Sequence, residues 1–234
     1  MNPTFSQASV TKAQSNVLVR SGSVNFASFG VLGGSLKRTV DVLLSGFGLI
    51  ILFPAFVIIG LAVKICDGGP ILFKHQRIGY AGRSFGCLKF RTMCVDAEPQ
   101  LNEYLLKCPA AATEWQMSQK LKYDPRLTRI GAVLRRSSLD ELPQLVNVLR
   151  GEMSLVGPRP VVAEELARYQ DYMQFYLSAR PGMTGAWQIS GRSDVSYAER
   201  VAMDVNYCRY WSLVTDLAIL FRTLPALISR HGSY

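Results

Sequence analysis

Histidine is nearly absent from this sequence: His75 and His231 are the only two in 234 residues. That scarcity excludes histidine-rich metal sites and most histidine-based triads. Gly82-Arg83-Ser84-Phe85-Gly86 matches the G-x-S-x-G pattern of a nucleophilic serine, but the required later histidine exists only within the last four residues. Ser84 therefore reads as a strand or turn residue. The five cysteines, Cys66, Cys87, Cys94, Cys108 and Cys208, form no C-x-x-C pair. An odd count at loose spacing argues against a disulfide framework and a zinc site, and places the domain on the reducing side of a membrane. Acid is missing from the first part of the chain. Residues 1–35 contain no Asp or Glu, and residues 1–91 hold only Asp41 and Asp67 against ten Lys and Arg. The remainder is nearly balanced, so +8 of the net charge of +9 resides in the first part.

That basic part also carries the most apolar segment. Val42 to Val63 is a run of 22 residues without a charge, fifteen of them Leu, Ile, Val or Phe. As a helix it measures about 33 Å, enough to cross a hydrocarbon core of about 30 Å. Basic residues flanking such a run, without interleaved aromatics, point to an anionic membrane surface and away from nucleic acid. Pro54 lies near the middle of the run, and Lys37, Arg38 and Lys64 flank it on both sides. Cytoplasmic flanks at both ends fit a segment that enters and returns, bent at Phe53-Pro54, although prolines also occur in true spans.

Residues 1–35, rich in Ser, Asn, Gly and Thr with no period, read as a disordered tail without a signal peptide. Ile71 to Ile78 and Phe85 to Thr92, joined by Gly-Tyr-Ala-Gly, predict a β-hairpin whose period-2 alternation sends Lys89 and Arg91 to one side. That side meets either phosphate or lipid headgroups. Residues 96–122 predict one or two polar helices, Arg126 to Arg136 a basic helix, and Val161 to Ala179 another. In Arg180-Pro-Gly-Met-Thr-Gly185, two glycines would let backbone N–H groups approach an anion beside Arg180. Ser196 and Glu199 predict a capping box. Tyr210, Leu213, Val214, Leu217, Ala218, Phe221 and Leu224 share one face of a last helix, which either lies in a bilayer interface or packs on the core.

The richest stretch is Ser137 to Pro160. Leu142, Leu145, Val146 and Leu149 recur at helical spacing, with Gly151 as the stop. Pro143 fits only the first turn, which suggests Asp140 as N-cap. Asp140 and Glu141 then stand at the positive end of a helix, near Arg135 and Arg136, with Arg159 in a stiff Gly-Pro-Arg-Pro loop. Carboxylates that attack or hold a metal, beside arginines that grip phosphate, suit phosphate chemistry. A plain alternative is a capping box of Ser138 and Glu141 serving stability alone.

Ser-Leu-Asp-Glu-Leu-Pro-Gln-Leu (138–145) with Met-Ser-Leu-Val-Gly-Pro-Arg-Pro (153–160) resembles the signature of the bacterial sugar transferases, the monotopic polyprenyl-phosphate phosphoglycosyl transferases. Lys-Phe-Arg-Thr-Met (89–93), Asp-Pro-Arg-Leu-Thr-Arg-Ile-Gly (124–131), Arg-Pro-Gly-Met-Thr-Gly (180–185) and Trp-Gln-Ile-Ser-Gly-Arg (187–192) extend the match over nearly everything after residue 36. The resemblance implies an α+β fold, mostly helical, with a small β-hairpin, interfacial amphipathic helices and one membrane-inserted re-entrant helix. Its organisation would be a tail at 1–35, a helix-break-helix at 36–66 broken at Phe53-Pro54, and a catalytic domain at 67–234 on the cytoplasmic face of the bacterial inner membrane. It implies transfer of a hexose 1-phosphate from a UDP-sugar to undecaprenyl phosphate, with galactose ahead of glucose, as the first membrane step of exopolysaccharide or related glycan assembly. Asp140 would be the nucleophile, Glu141 the Mg²⁺ ligand, and Lys89, Arg91, Arg159 and Arg180 the phosphate contacts. The oligomeric state, a homodimer included, stays open. A membrane-attached metal-dependent phosphatase would use the same carboxylates without a lipid acceptor, and a polybasic adaptor would need neither of them.

Overall fold

The computed structural model describes residues 30–118, 120–190 and 196–228. Most of the expected tail, and His231, lie outside them. The chain is mostly helical. It opens with α1, Gly34–Asp67, an uninterrupted helix of 34 residues that starts two residues before the expected boundary. The expected break at Phe53-Pro54 is not found: Pro54 lies inside the helix. A proline removes one backbone donor, and the turns on either side retain theirs.

One face of α1 lies along the rest of the protein. Near its start, Lys37 Nζ donates to Asp216 Oδ2 at 2.5 Å, both side chains being buried. Arg38 donates to the carbonyls of Val148 and Leu149, and the backbone N–H of Leu155 donates to Asp41 Oδ1 at 3.0 Å. Farther along, Leu49 and Leu52 pack on a core of Leu145, Val148, Met153, Val156 and Ile219. Phe56, Ile59 and Val63 pack on Phe90 and Leu134. The opposite face, including Leu43, Phe47, Ile50, Phe53, Ile58, Leu61 and Ile65, is exposed.

The hairpin forms as its composition predicts. Strands β1, Leu72–Ile78, and β2, Ser84–Phe90, pair antiparallel, with Phe73 opposite Lys89, His75 opposite Cys87 and Arg77 opposite Phe85. The polar stretch forms two helices, α2 (Ala97–Lys107) and α3 (Pro109–Ser118). Then come the basic helix α4 (Arg129–Ser137), a 3-10 turn (Leu139–Glu141) and α5 (Gln144–Arg150).

After α5 the sequence reading and the structure part. A parallel pair forms between β3, Ser154–Val156, and β4, Gly182–Thr184. The glycines expected to admit an anion admit this neighbouring strand instead: a Cβ at Gly182 would stand 2.1 Å from the Gly157 nitrogen, and Gly182 N–H donates to Pro158 O at 2.8 Å. The single helix expected over Val161 to Ala179 is α6 (Ala163–Leu166), a 3-10 segment (Ala167–Tyr172) and α7 (Met173–Leu177). Gln170, with φ of +46°, breaks the run. A second core of Ile78, Val161, Leu166, Tyr169, Tyr176, Val201 and Val205 forms here, and the Tyr176 hydroxyl donates to Ile78 O at 2.7 Å.

The chain ends in α8 (Ala186–Ile189), α9 (Tyr197–Arg209) and α10 (Leu213–Ile228). The capping box of Ser196 and Glu199 is present. Of the predicted apolar face, Tyr210, Val214, Leu217 and Phe221 are exposed, and α10 turns Asp216, Ile219 and Leu220 inward instead.

Asn147, fully buried on α5, joins helix to hairpin. Its Oδ1 accepts from Leu88 N–H at 2.9 Å, and its Nδ2 donates to Gly86 O at 2.9 Å and to Glu152 Oε2 at 2.6 Å. Asn147→Ala strands a buried donor and acceptor on β2, a loss of about 2–4 kcal/mol that lowers the melting midpoint by about 5–15 °C. Thermal unfolding of the protein held in nanodiscs checks it; a midpoint unchanged within a degree refutes this role.

Candidate active site

The acidic pair sits in the tight turn between two helices. Helix α4 ends at Ser138, a non-glycine residue with φ of +56°, whose N–H donates back to the last turn of the helix. That left-handed residue reverses the chain. Glu141 N–H then donates to Ser138 O, and Leu142 N–H to Leu139 O, closing the 3-10 turn. Pro143, with φ of −60°, occupies the cap position of α5. Asp140 is thus not the N-cap, and the Ser138–Glu141 capping box does not form. The proline needs no hydrogen-bond acceptor and so takes the cap position itself, leaving both carboxylates in the preceding turn.

Asp140 is buried and Glu141 half-buried. Strand β2 presents Lys89 to both: its Nζ lies 2.6 Å from Glu141 Oε1 and 3.9 Å from Asp140 Oδ2. Burial pushes the Asp140 carboxyl above its ordinary range; Lys89 pulls it back, Glu141 pushes it up, and Arg135 pulls it down. Arg135 is held by a hydrogen bond from Nε to Thr92 Oγ1 at 3.0 Å. The sequence placed Arg135 beside the pair as one of several arginines that could grip phosphate, but its spacing does not distinguish it from Arg136. Gly131 permits this arrangement, because a Cβ there would stand 1.9 Å from Thr92 O.

The four predicted phosphate contacts occupy different places. Lys89 is at the carboxylates. Arg91 is buried at the end of α1, with Nη2 3.3 Å from Asp67 Oδ2. Arg180 donates from Nε to Gly151 O at 2.9 Å, at the C-terminal end of α5, whereas the carboxylates precede its N-terminal end. Arg159 stacks over the Trp187 ring, 5.3 Å from its centroid.

No group of three or more His, Cys, Asp or Glu side chains suited to a metal occurs among the described residues. Mg²⁺ does not need one, since it binds through one or two carboxylates when substrate phosphates supply further oxygens. Adjacent Asp140 and Glu141 fit that donor set.

A buried carboxylate opposed by a lysine and an arginine has the charge arrangement that phosphate chemistry uses, and the domain that carries it is joined to a long apolar helix. Comparison with known proteins gives the class. The chain belongs to the bacterial sugar transferase family, whose model matches residues 32–230, and is an enzyme of sugar-phosphate transfer. It is 54% identical over 203 residues to the exopolysaccharide production protein ExoY of Sinorhizobium fredii, covering 87% of this chain and 90% of that one. It is 50% identical to the undecaprenyl-phosphate galactose phosphotransferase of Salmonella typhimurium, over 85% of this chain and 42% of that longer protein. A UDP-glucose:undecaprenyl-phosphate glucose-1-phosphate transferase of Caulobacter vibrioides is 38% identical, over 85% of this chain and 72% of its own length.

If Asp140 is the reacting carboxylate, its burial makes transfer fall on acidification at a pH above the usual aspartate value of about 3.9. Lys89→Gln removes the charge that pulls Asp140 down and moves this acid limb to higher pH, whereas Glu141→Gln moves it lower. The pH dependence of kcat/KM for the three proteins checks this. Shifts in the same direction would mean that the limb does not report Asp140.

Proposed function

We propose that this protein transfers a hexose 1-phosphate, galactose favoured, from a UDP-sugar to undecaprenyl phosphate, an early membrane step in building an exopolysaccharide or related glycan. The observation that carries the reading is Asp140 itself: a buried carboxylate with a lysine within 4 Å and an arginine in its field. In the first half-reaction an Asp140 oxygen attacks the β-phosphorus of the UDP-sugar, the bond to the bridging oxygen breaks, and UMP leaves. In the second, an oxygen of undecaprenyl phosphate attacks the same phosphorus and frees the carboxylate. Splitting the transfer lets a soluble and a lipid-borne substrate use one site in turn. Lys89 holds Asp140 ionised and is placed to meet phosphate oxygens as they arrive, and Arg135 adds charge from the opposite element. Glu141, with Asp140, would hold Mg²⁺, which neutralises diphosphate charge and stabilises the leaving group when bound.

The reading also places α1 in the bilayer. By length and composition it is sufficient to cross a membrane. Yet its beginning is tied to Asp216 and Leu155 and its end to Phe90, Leu134 and Arg91, all in one domain. A helix packed on one domain at its start, middle and end suits an element seated on one side of the membrane better than a full crossing. The exposed apolar residues of α1, with Val214 and Phe221 of α10, supply the lipid-facing surface, and the domain then lies on the cytoplasmic face of the inner membrane. Galactose rests on the name of the Salmonella relative; glucose is the second reading, favoured by the name of the Caulobacter relative.

Full-length protein in nanodiscs with Mg²⁺ and UDP-galactose is expected to release at most about one equivalent of UMP per enzyme without lipid and to turn over only when undecaprenyl phosphate is present. Asp140→Asn lowers the rate by at least about a thousandfold, and EDTA abolishes it until Mg²⁺ is restored. UMP release from UDP-glucose alone replaces the sugar. Equal phosphate or UMP release without lipid establishes a hydrolase instead, and silence with every UDP-sugar refutes the reading.

A further inference from the structure

The hairpin face that carries Lys89 holds two further side chains to which the transfer chemistry gives no part. Residues directly opposite in an antiparallel pair point to the same face with Cβ atoms about 5 Å apart, and Phe73 is directly opposite Lys89. Lys89 in turn reaches Glu141 at 2.6 Å and Asp140 at 3.9 Å, so the Phe73 ring stands at the rim of the acidic turn. That ring is 51% exposed. His75 follows on the same face of β1, exposed and edge-on to Phe73, with the ring centroids 6.1 Å apart.

The state of His75 follows from its neighbours. Arg77 Nη2 lies 3.3 Å from His75 Nδ1. A guanidinium has only hydrogens to give, so Nδ1 accepts, and the imidazole is neutral with its one hydrogen on Nε2. Partial burial first, then the charges of Arg77 and Lys89, hold this imidazole below its ordinary range, with Glu165 pulling the other way. Glu165 steadies Arg77 from the far side, its Oε2 3.6 Å from Nη1. The imidazole is thus oriented from a second element, and its Nε2–H has no hydrogen-bond partner among the described residues. An open aromatic face beside one oriented, unspent donor suits a sugar: the ring takes the C–H side of a pyranose and the donor takes a hydroxyl. A polyisoprenyl chain would gain nothing from the donor and would have to desolvate Lys89 and Arg77.

Distance selects the same occupant. From the level of Lys89 to that of His75 is two strand residues, about 7 Å, and a hexose bonded directly to the phosphorus that meets Asp140 cannot leave that neighbourhood. We propose that Phe73 and His75 set the sugar preference: the hexose lies against the Phe73 ring, and His75 Nε2–H donates to a ring hydroxyl and so ranks one hexose above another. Galactose and glucose differ in the orientation of a single hydroxyl, so one fixed donor is sufficient to rank them. The assignment rests on the UDP-sugar reading above and adds the residues that discriminate between sugars.

The test uses full-length protein in nanodiscs with Mg²⁺ and without lipid acceptor, where the first release of UMP reports the donor alone. Wild type is expected to react faster with one of UDP-galactose and UDP-glucose than with the other. His75→Ala slows the preferred donor by about tenfold, the worth of one good hydrogen bond, and removes most of the preference. His75→Gln, which keeps an N–H, restores part of it, and Phe73→Leu slows both donors alike. Inhibition by UMP, which has no sugar, and the KM for undecaprenyl phosphate in full turnover stay unchanged. A preference that survives His75→Ala, or a wild type without one, overturns the assignment and leaves the transferase reading standing. A raised KM for undecaprenyl phosphate with the preference intact gives the face to the lipid, and the proposal fails. No UMP from any UDP-sugar in wild type refutes the transferase reading and the assignment with it. Carbethoxylation of His75, read by mass spectrometry in wild type, decides even should a variant not fold. The matching hexose 1-phosphate slows it several-fold and UMP does not; protection by UMP alone refutes the proposal.

Discussion

A helix of seven residues does not hold itself together in water, and the geometry around Asp140 depends on what holds α5 in place. Three kinds of contact do so. Asn147 replaces a missing strand partner for β2, so α5 and the hairpin carrying Lys89 move as one piece. Arg38 and Arg180 take the carbonyls at the C-terminal end, where the helix would otherwise present uncompensated acceptors. Leu145 and Val148 anchor the apolar face in the core. The acidic turn, only three residues upstream, inherits its position from these contacts.

Within that frame, opposing demands are reconciled by placement. A nucleophilic carboxylate must be desolvated enough to react and charged enough to exist, and burial alone favours the neutral form. Lys89 and Arg135 supply the opposing field from a strand and a helix on different sides of the turn, and Glu141 beside Asp140 works against them. The cations that suit phosphate are not gathered in one ring. Lys89 stands at the carboxylates, Arg77 beside Glu165, and Arg159 over Trp187.

Much of this was legible in the sequence, and what was not has physical causes. Apolar length marked α1, two-residue alternation marked β1 and β2, and the Ser196–Glu199 pair marked the start of α9, because each of these is a local property. The acidic pair stood out, but its backbone setting did not. A left-handed Ser138 and a 3-10 turn leave no composition signal, and Pro143 is compatible with more than one position in a first turn. The loop at 180–185 read as an anion cradle because glycine reports only that something comes close, not whether it is a ligand or a strand; here it is β3. The division of Val161 to Ala179 hinges on one residue, Gln170, whose positive φ no pattern announces. Arg180 and Arg91 looked like ligand contacts because charge is visible in sequence, while the carbonyls and carboxylate they serve, at Gly151 and Asp67, are matters of tertiary packing.

The polar first turns of α1 are wired into the catalytic domain, and this decides where the molecule can be cut. Without α1, Asp216 would remain buried beside Tyr207 with no counter-charge, the Leu155 N–H would lose its acceptor, and the Val148 and Leu149 carbonyls would lose theirs. Leaving a charge alone in the interior is among the most destabilising changes a fold can undergo. The long apolar helix is therefore no detachable accessory. It is a structural part of the domain it packs on, and a fragment trimmed of it would lose that architecture.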